Sequence, residues 1–203
     1  MDKILNIFIR VNSGGTELSY SDLLLSFAIS QWEKKDAREE INQVVDEINA
    51  IGRGFNINKD LILKTCLVLE DFKDISFKVV NLIASFGFSR ENITSNYSFI
   101  PIAYYIKSIG SPSNFIDSSK YQKDRQNIKK WFISSLLLRV FSFAPDGVLK
   151  PIRDIIKENP GEFPLTKIIE RFKGTNRDIT FTEDSIDNLL WIKYGSRDIL
   201  LVL

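Results

Sequence analysis

YQKDRQNIKKWFISSLLLRVFSF, residues Tyr121 to Phe143, is the longest periodic stretch of the chain. Ile128, Trp131, Phe132, Ser135, Leu136, Leu138 and Phe141 recur at helical spacing and form one wide stripe, the pattern of an amphipathic helix with one face in a core. Five cations, Lys120, Lys123, Arg125, Lys129 and Lys130, crowd its first turns. Positive charge at a helix N-terminus opposes the helix dipole, so it is unfavourable unless something anionic compensates. These side chains are therefore either a solvated polar face or a set of nonspecific contacts to a DNA backbone.

The same period runs outward in both directions. Upstream, Ser98 to Ile109 reads as a helix, with Pro101 in the first turn where its missing N–H costs nothing. Gly110 to Asn114 (GSPSN) is a loop and the best candidate for a sub-domain seam. Phe77 to Phe86 is apolar on one face and is broken by Gly87. Asn58 suits the cap of a helix over Lys59 to Leu69, with Leu61, Ile62, Thr65, Cys66 and Leu69 inward. Asp36 suits the cap of Ala37 to Ile51, where Ile41, Val44, Val45 and Ile48 share a face. Ser19 and Asp22 resemble a capping box opening a helix to Lys35 that buries Leu23, Leu24, Phe27, Ala28 and Trp32. Asp2 to Arg10 reads as a short helix or the tail of a longer one.

Downstream, Val148 to Lys157 is a helix ended by Asn159-Pro160-Gly161, and Leu165 to Phe172 is closed by Gly174. Thr182 caps Glu183 to Lys193, whose acidic first turn suits the dipole. No period-2 alternation runs far enough to argue for a sheet. The predicted fold is all-α, a multi-helix domain with short loops.

The 203 residues, 44% hydrophobic and 26% charged, suit a globular domain with a sizeable core. A net charge of +1 gives no global case for nucleic-acid binding, although the second half carries a small basic excess. No apolar run approaches the length that spans a bilayer; the longest, near Trp131 to Phe143, is interrupted by Arg139. The first residues lack the apolar segment of a secretion signal, and the single cysteine, Cys66, has no internal partner. A cytoplasmic protein without a membrane partner is the expectation.

Chemistry is bounded by what the chain lacks. It has no histidine, which removes Ser-His and Cys-His nucleophilic pairs and the usual metal sets. Glu70, Asp71 and Asp74 read as a solvated helix end. No catalytic residue, metal site or cofactor is assigned to this chain.

One polar turn stands out. FIRVNSGGTELS, Phe8 to Ser19, passes from an apolar segment into two adjacent glycines that can take φ > 0. Arg10, Asn12, Ser13, Gly14, Gly15 and Thr16 there offer a guanidinium, an amide, hydroxyls and backbone N–H groups, a set that can edge a phosphate or nucleotide pocket. The same residues also suit a helix C-cap followed by an N-cap at Ser19.

This segment resembles the F-x-R-x-N-x-G-G-T-x-L-S stretch of the GmrSD-type restriction endonuclease family. Ser98 to Tyr105 (SFIPIAYY) is similar to that family's IPIAYYI helix, and Leu189 to Ser196 (LLWIKYGS) to its LLxxKYGS segment. Family members open with a ParB-like domain carrying DGQQR and often end in an HNH-type nuclease domain. Neither DGQQR nor any histidine occurs here, so the resemblance implies the helical middle of a longer protein, truncated at both ends. It implies residues 1–18 as the end of the ParB-like region, 19–110 as a first helical subdomain, and 111–203 as a second one leading to the nuclease domain. The implied role is in modification-dependent (type IV) restriction, defence against foreign DNA. NTP and Mg²⁺ would serve the full-length protein, with DNA and the absent domains as partners. The alternative is a non-catalytic protein-interaction or nucleic-acid-binding helical module. The final apolar run, Ile199 to Leu203, is expected to pack back on the domain or to form a homodimer contact.

Arg10 separates the two readings of the turn. In the full-length protein, Arg10→Ala is expected to lower nucleotide binding or turnover while the melting temperature barely moves. Equal loss of stability and activity, or unchanged activity, assigns the turn to capping alone.

Overall fold

The computed structural model describes residues 36–59, 61–62, 72–142 and 144–191. The Arg10–Thr16 turn, the Ser19–Lys35 helix, Cys66 and the Ile199–Leu203 run lie outside them, as does most of the Lys59–Leu69 segment. Among the described residues there are seven α-helices, two 3-10 turns and no strand, so the all-α expectation holds. The helices are α1 (Ala37–Asn49), α2 (Phe72–Ser85), α3 (Phe99–Ser108), α4 (Gln122–Leu137), α5 (Asp146–Glu158), α6 (Leu165–Phe172) and α7 (Glu183–Leu190).

Local chemistry sets most of the boundaries. Asp36 Oδ1 accepts from the Arg38 N–H at 2.8 Å and starts α1. The Leu61 N–H donates to Asn58 Oδ1 at 3.0 Å. Thr182 and Ser185 form a reciprocal capping box at the head of α7. A 3-10 turn, Asn96–Ser98, runs directly into α3, with Pro101 in its first turn as predicted.

At the C-terminal ends one motif recurs three times. The Phe88 N–H donates to the Ile83 carbonyl and the Gly87 N–H to that of Ala84, closing α2. Ser111 and Gly110 do the same to Ile106 and Lys107 after α3, and Val140 and Arg139 to Ser135 and Leu136 after α4. These paired bonds are Schellman caps, which place the C′ residue in the left-handed region. Gly87 has φ +91° and Gly110 φ +83°; in α4 the position is taken by Arg139 at φ +50°.

That substitution corrects the predicted extent of α4. The helix ends at Leu137, not Phe143, because the chain reverses at Arg139. Val140 and Phe141 remain buried after the reversal, so the apolar pattern continues where the helix does not.

The layers assemble on α3. Phe99, Pro101, Ile102, Ala103, Tyr105 and Ile106 are all buried, and a helix apolar on nearly all sides belongs inside. It packs against α2 and α5, while α6 contacts both α5 and α4, and α4 meets the 3-10 turn that leads into α3. One cluster of buried side chains extends from Ile41 to Ile179. Buried residues of that cluster lie on both sides of the 110–114 loop. Lys78 Nζ ties that loop to α2, donating to the Ser111 carbonyl at 2.7 Å and to Asp74 at 2.6 Å. Asn49 closes a second loop by donating to the Ile57 carbonyl (2.8 Å) and accepting from its N–H (2.7 Å). No described helix is long and apolar enough to cross a membrane.

Ile102 has no exposed surface. Ile102→Ala is expected to destabilise by about 2–5 kcal/mol, through lost burial plus the cavity left behind. Denaturant unfolding measures it, and a loss below about 1 kcal/mol contradicts the central position of α3.

Candidate functional site

The five cations of the sequence reading do not form one free surface. Arg125 turns inward and Nη1 donates to the carbonyls of Phe115 and Ser118, each at 2.7 Å, fastening the loop that precedes α4. Lys123 Nζ pairs with Glu162 Oε2 at 3.0 Å, an exposed bridge of small energetic weight. Lys120 lies 5.1 Å from the Tyr121 ring centroid and Lys129 5.6 Å from that of Phe86. Lys120, Lys123, Lys129 and Lys130 are exposed and Arg125 is half-buried.

The anionic compensation demanded by the dipole is internal. Asp124, in the first turn of α4 and only 5% exposed, accepts from the Phe163 N–H at 2.8 Å. Glu162 beside it also accepts from Asn127 Nδ2 at 3.3 Å. The acidic pair thus pins the segment before α6 onto the head of α4. Sequence reasoning missed Asp124; its signal was a lone acid among cations at a helix start, where a carboxylate suits the dipole.

Behind Asp124 lies Tyr105, with no exposed surface, packed edge-on against Phe163 (centroids 5.3 Å) and near Phe115 (6.4 Å). Its hydroxyl makes no hydrogen bond of normal geometry among the described residues. Burial, followed by the adjacent Asp124 carboxylate and then Glu162, pushes the phenol far above its usual pKa, because the phenolate would be both desolvated and repelled. Asp178 moves the other way. Partial desolvation raises its carboxyl, but hydrogen bonds from the Gly174 N–H (2.7 Å) and from Thr180, with Lys173 nearby, outweigh that and hold it below the ordinary value of 3.8. It organises the turn after α6.

A separate cleft of about 390 Å³ opens between the turn leading into α3 and the end of α4. Thr94, Ser95 and Tyr97 line one side; Ser135, Arg139, Phe141 and Ser142 line the other. The Ser135 hydroxyl donates to the Phe132 carbonyl at 2.8 Å and the Ser142 hydroxyl to the Arg139 carbonyl at 2.7 Å. Arg177 Nη1 donates to the Val140 carbonyl and fixes the turn that carries Arg139. The sequence signal for this cleft was the charge at Arg139 inside an otherwise apolar run.

Among the described residues no three Cys, Asp or Glu side chains converge as a metal set. No family model matches the chain, and no curated protein matches it either.

Tyr105→Phe removes a buried hydroxyl that meets Asp124 only in poor hydrogen-bond geometry, so it is expected to leave stability unchanged or raise it by about 1 kcal/mol at pH 7. The raised pKa makes the neutral phenol part of the folded state. Its contribution is complete below the unfolded value of 10.0 and is lost as pH rises above it. The wild type should therefore lose stability above pH 10 more steeply than Tyr105→Phe. Parallel pH–stability curves for the two proteins refute this.

Proposed function

We propose that the chain is the non-catalytic helical middle region of a GmrSD-like, modification-dependent restriction protein acting in the cytoplasm against foreign DNA. In that role it joins a nucleotide-dependent ParB-like domain to a nuclease domain and holds their relative placement. The observation that carries the reading is the position of the SFIPIAYY segment. Ser98 to Tyr105 forms the head of α3, where Phe99, Pro101, Ile102, Ala103 and Tyr105 are buried. Packing constrains such residues to shape and volume, so a resemblance there supports a common core rather than a common reaction. A helical unit with one continuous core also suits a spacer, because it moves as a body and transmits displacement from end to end.

The alternative, a nucleic-acid-binding module, draws on Lys120, Lys129 and Lys130. With Arg125 committed to backbone carbonyls and Lys123 to Glu162, about three phosphate contacts remain. Such binding would weaken with salt on a log–log slope of about −3.

The test has two readouts. The reading frame around the segment should carry DGQQR upstream and an HNH-type motif downstream; an in-frame stop immediately before Met1 or after Leu203 overturns the assignment. The purified 203-residue chain with Mg²⁺ should turn over neither ATP, GTP nor duplex DNA. Turnover abolished by substitution of a residue in this chain overturns the non-catalytic role.

A further inference from the structure

We propose that the exposed apolar side of α7 is the docking surface for the chain's own Ile199–Leu203 run, which folds back along the helix after Gly195. The proposal goes beyond the family reading and does not depend on it.

Every large apolar side chain exposed among the described residues falls within 181–191: Phe181 at 38%, Ile186 at 49% and Trp191 at 84%. Scattered exposed hydrophobes are ordinary, but a stretch that gathers all of them marks a contact surface. Phe181 and Ile186 hold the N′ and N4 positions around the Thr182 cap, those of a hydrophobic staple, and so neighbour each other. Leu189, three residues on from Ile186, shares its face, and Trp191 closes the end of the helix. Each of the other six helices packs substantially on another element; among the described residues α7 does not. A helix of eight residues is too short to persist in water by propensity and capping alone, so this one calls for a packing partner.

Charge selects the occupant. Glu183, Asp184 and Asp187 are exposed around the patch, and no cation occurs between Arg177 and Lys193. A second copy of α7 would bring like charges together, which is unfavourable. The segment after Trp191 supplies what the helix lacks: five consecutive apolar residues, Ile199 to Leu203, with Lys193 and Arg197 ahead of them. Of the other long stretches outside the described residues, 1–35 balances its acids and bases, and 63–71 carries more acid than base. Reach is sufficient. The eight residues of α7 make a rod about 12 Å long, while the chain from Trp191 to Ile199 can span up to about 26 Å. Gly195 accepts the positive φ of a tight reversal. A tethered segment also competes at an effective concentration that a separate molecule does not reach.

The experiment is NMR on the full 203-residue chain. Nuclear Overhauser contacts should connect the Ile186 methyls and the Trp191 indole to the methyls of residues 199–203. A mixture of labelled and unlabelled chains should show none of these contacts between molecules. Leu201→Asp should quicken amide exchange across α7 by about tenfold or more, because burial of one large aliphatic side chain is worth at least about a decade in an equilibrium constant. The α3 amides should stay as protected as in the wild type, which separates loss of docking from loss of the fold. Arg197→Glu should quicken α7 exchange to a smaller extent. Contacts to Leu23–Trp32 in place of 199–203, contacts seen only between molecules, or α7 exchange unchanged in Leu201→Asp overturn the proposal. Unchanged exchange in Arg197→Glu overturns the part assigned to charge.

Discussion

The structure depends on the burial of α3. Its Ile102, Tyr105 and Ile106 have no exposed surface, and only the narrow side carrying Ile100, Tyr104, Lys107 and Ser108 reaches solvent, so most of this helix must be enclosed by its neighbours. Each large apolar side chain removed from water contributes roughly 1.5–3 kcal/mol. That is larger than any single surface ion pair in the molecule, because exposed bridges such as Arg53–Glu91 and Lys123–Glu162 contribute about 1 kcal/mol or less. The charged exterior therefore follows the packing. Around α3 the aromatic residues adopt edge-to-face geometry, with Phe99 and Phe88 both meeting Phe132. Such pairs add about 0.5–1.5 kcal/mol beyond their area and favour one arrangement over others of similar volume.

Enclosing a helix brings polar groups inside, and the fold deals with them unequally. Asp124 is satisfied by the Phe163 N–H, 39 residues along the chain, and thereby links α4 to the segment before α6. Tyr105 keeps its aromatic contacts while its hydroxyl faces the Asp124 carboxylate without a hydrogen bond of good geometry. A hydroxyl in that state costs about 1–3 kcal/mol, which the ring's burial and two edge-on contacts offset. At the basic start of α4 two of the five cations are matched within the molecule, Lys123 by Glu162 and Arg125 by two carbonyls.

Much of the fold was legible because caps and periodicity are local. Asp36, Asn58 and Thr182 each cap where their residue types predict, and Leu165–Phe172 has the predicted bounds. The end of α4 was illegible because its stop signal is geometric. Periodicity records burial, and Val140 and Phe141 are buried outside a helix, while an arginine gives no compositional hint of a left-handed turn. The candidate sites were less legible still. Arg125 reads as a surface cation until the loop carrying Phe115 and Ser118 is folded against it. The pairing of Thr94–Tyr97 with Arg139 exists only once α3 and α4 pack, and neither stretch has a spacing that announces it.

The left-handed turn at Arg139 shows how packing supports local strain. A non-glycine residue in this region costs roughly 1–2 kcal/mol. The reversal it permits buries Val140 and Phe141, each contributing about as much or more, and exposes the Val140 carbonyl to the Arg177 guanidinium. The turn is thus determined by its neighbours rather than by its own residue, and strained conformations persist under that condition. Gly87 and Gly110 show that the same chain places the unstrained residue in two equivalent caps.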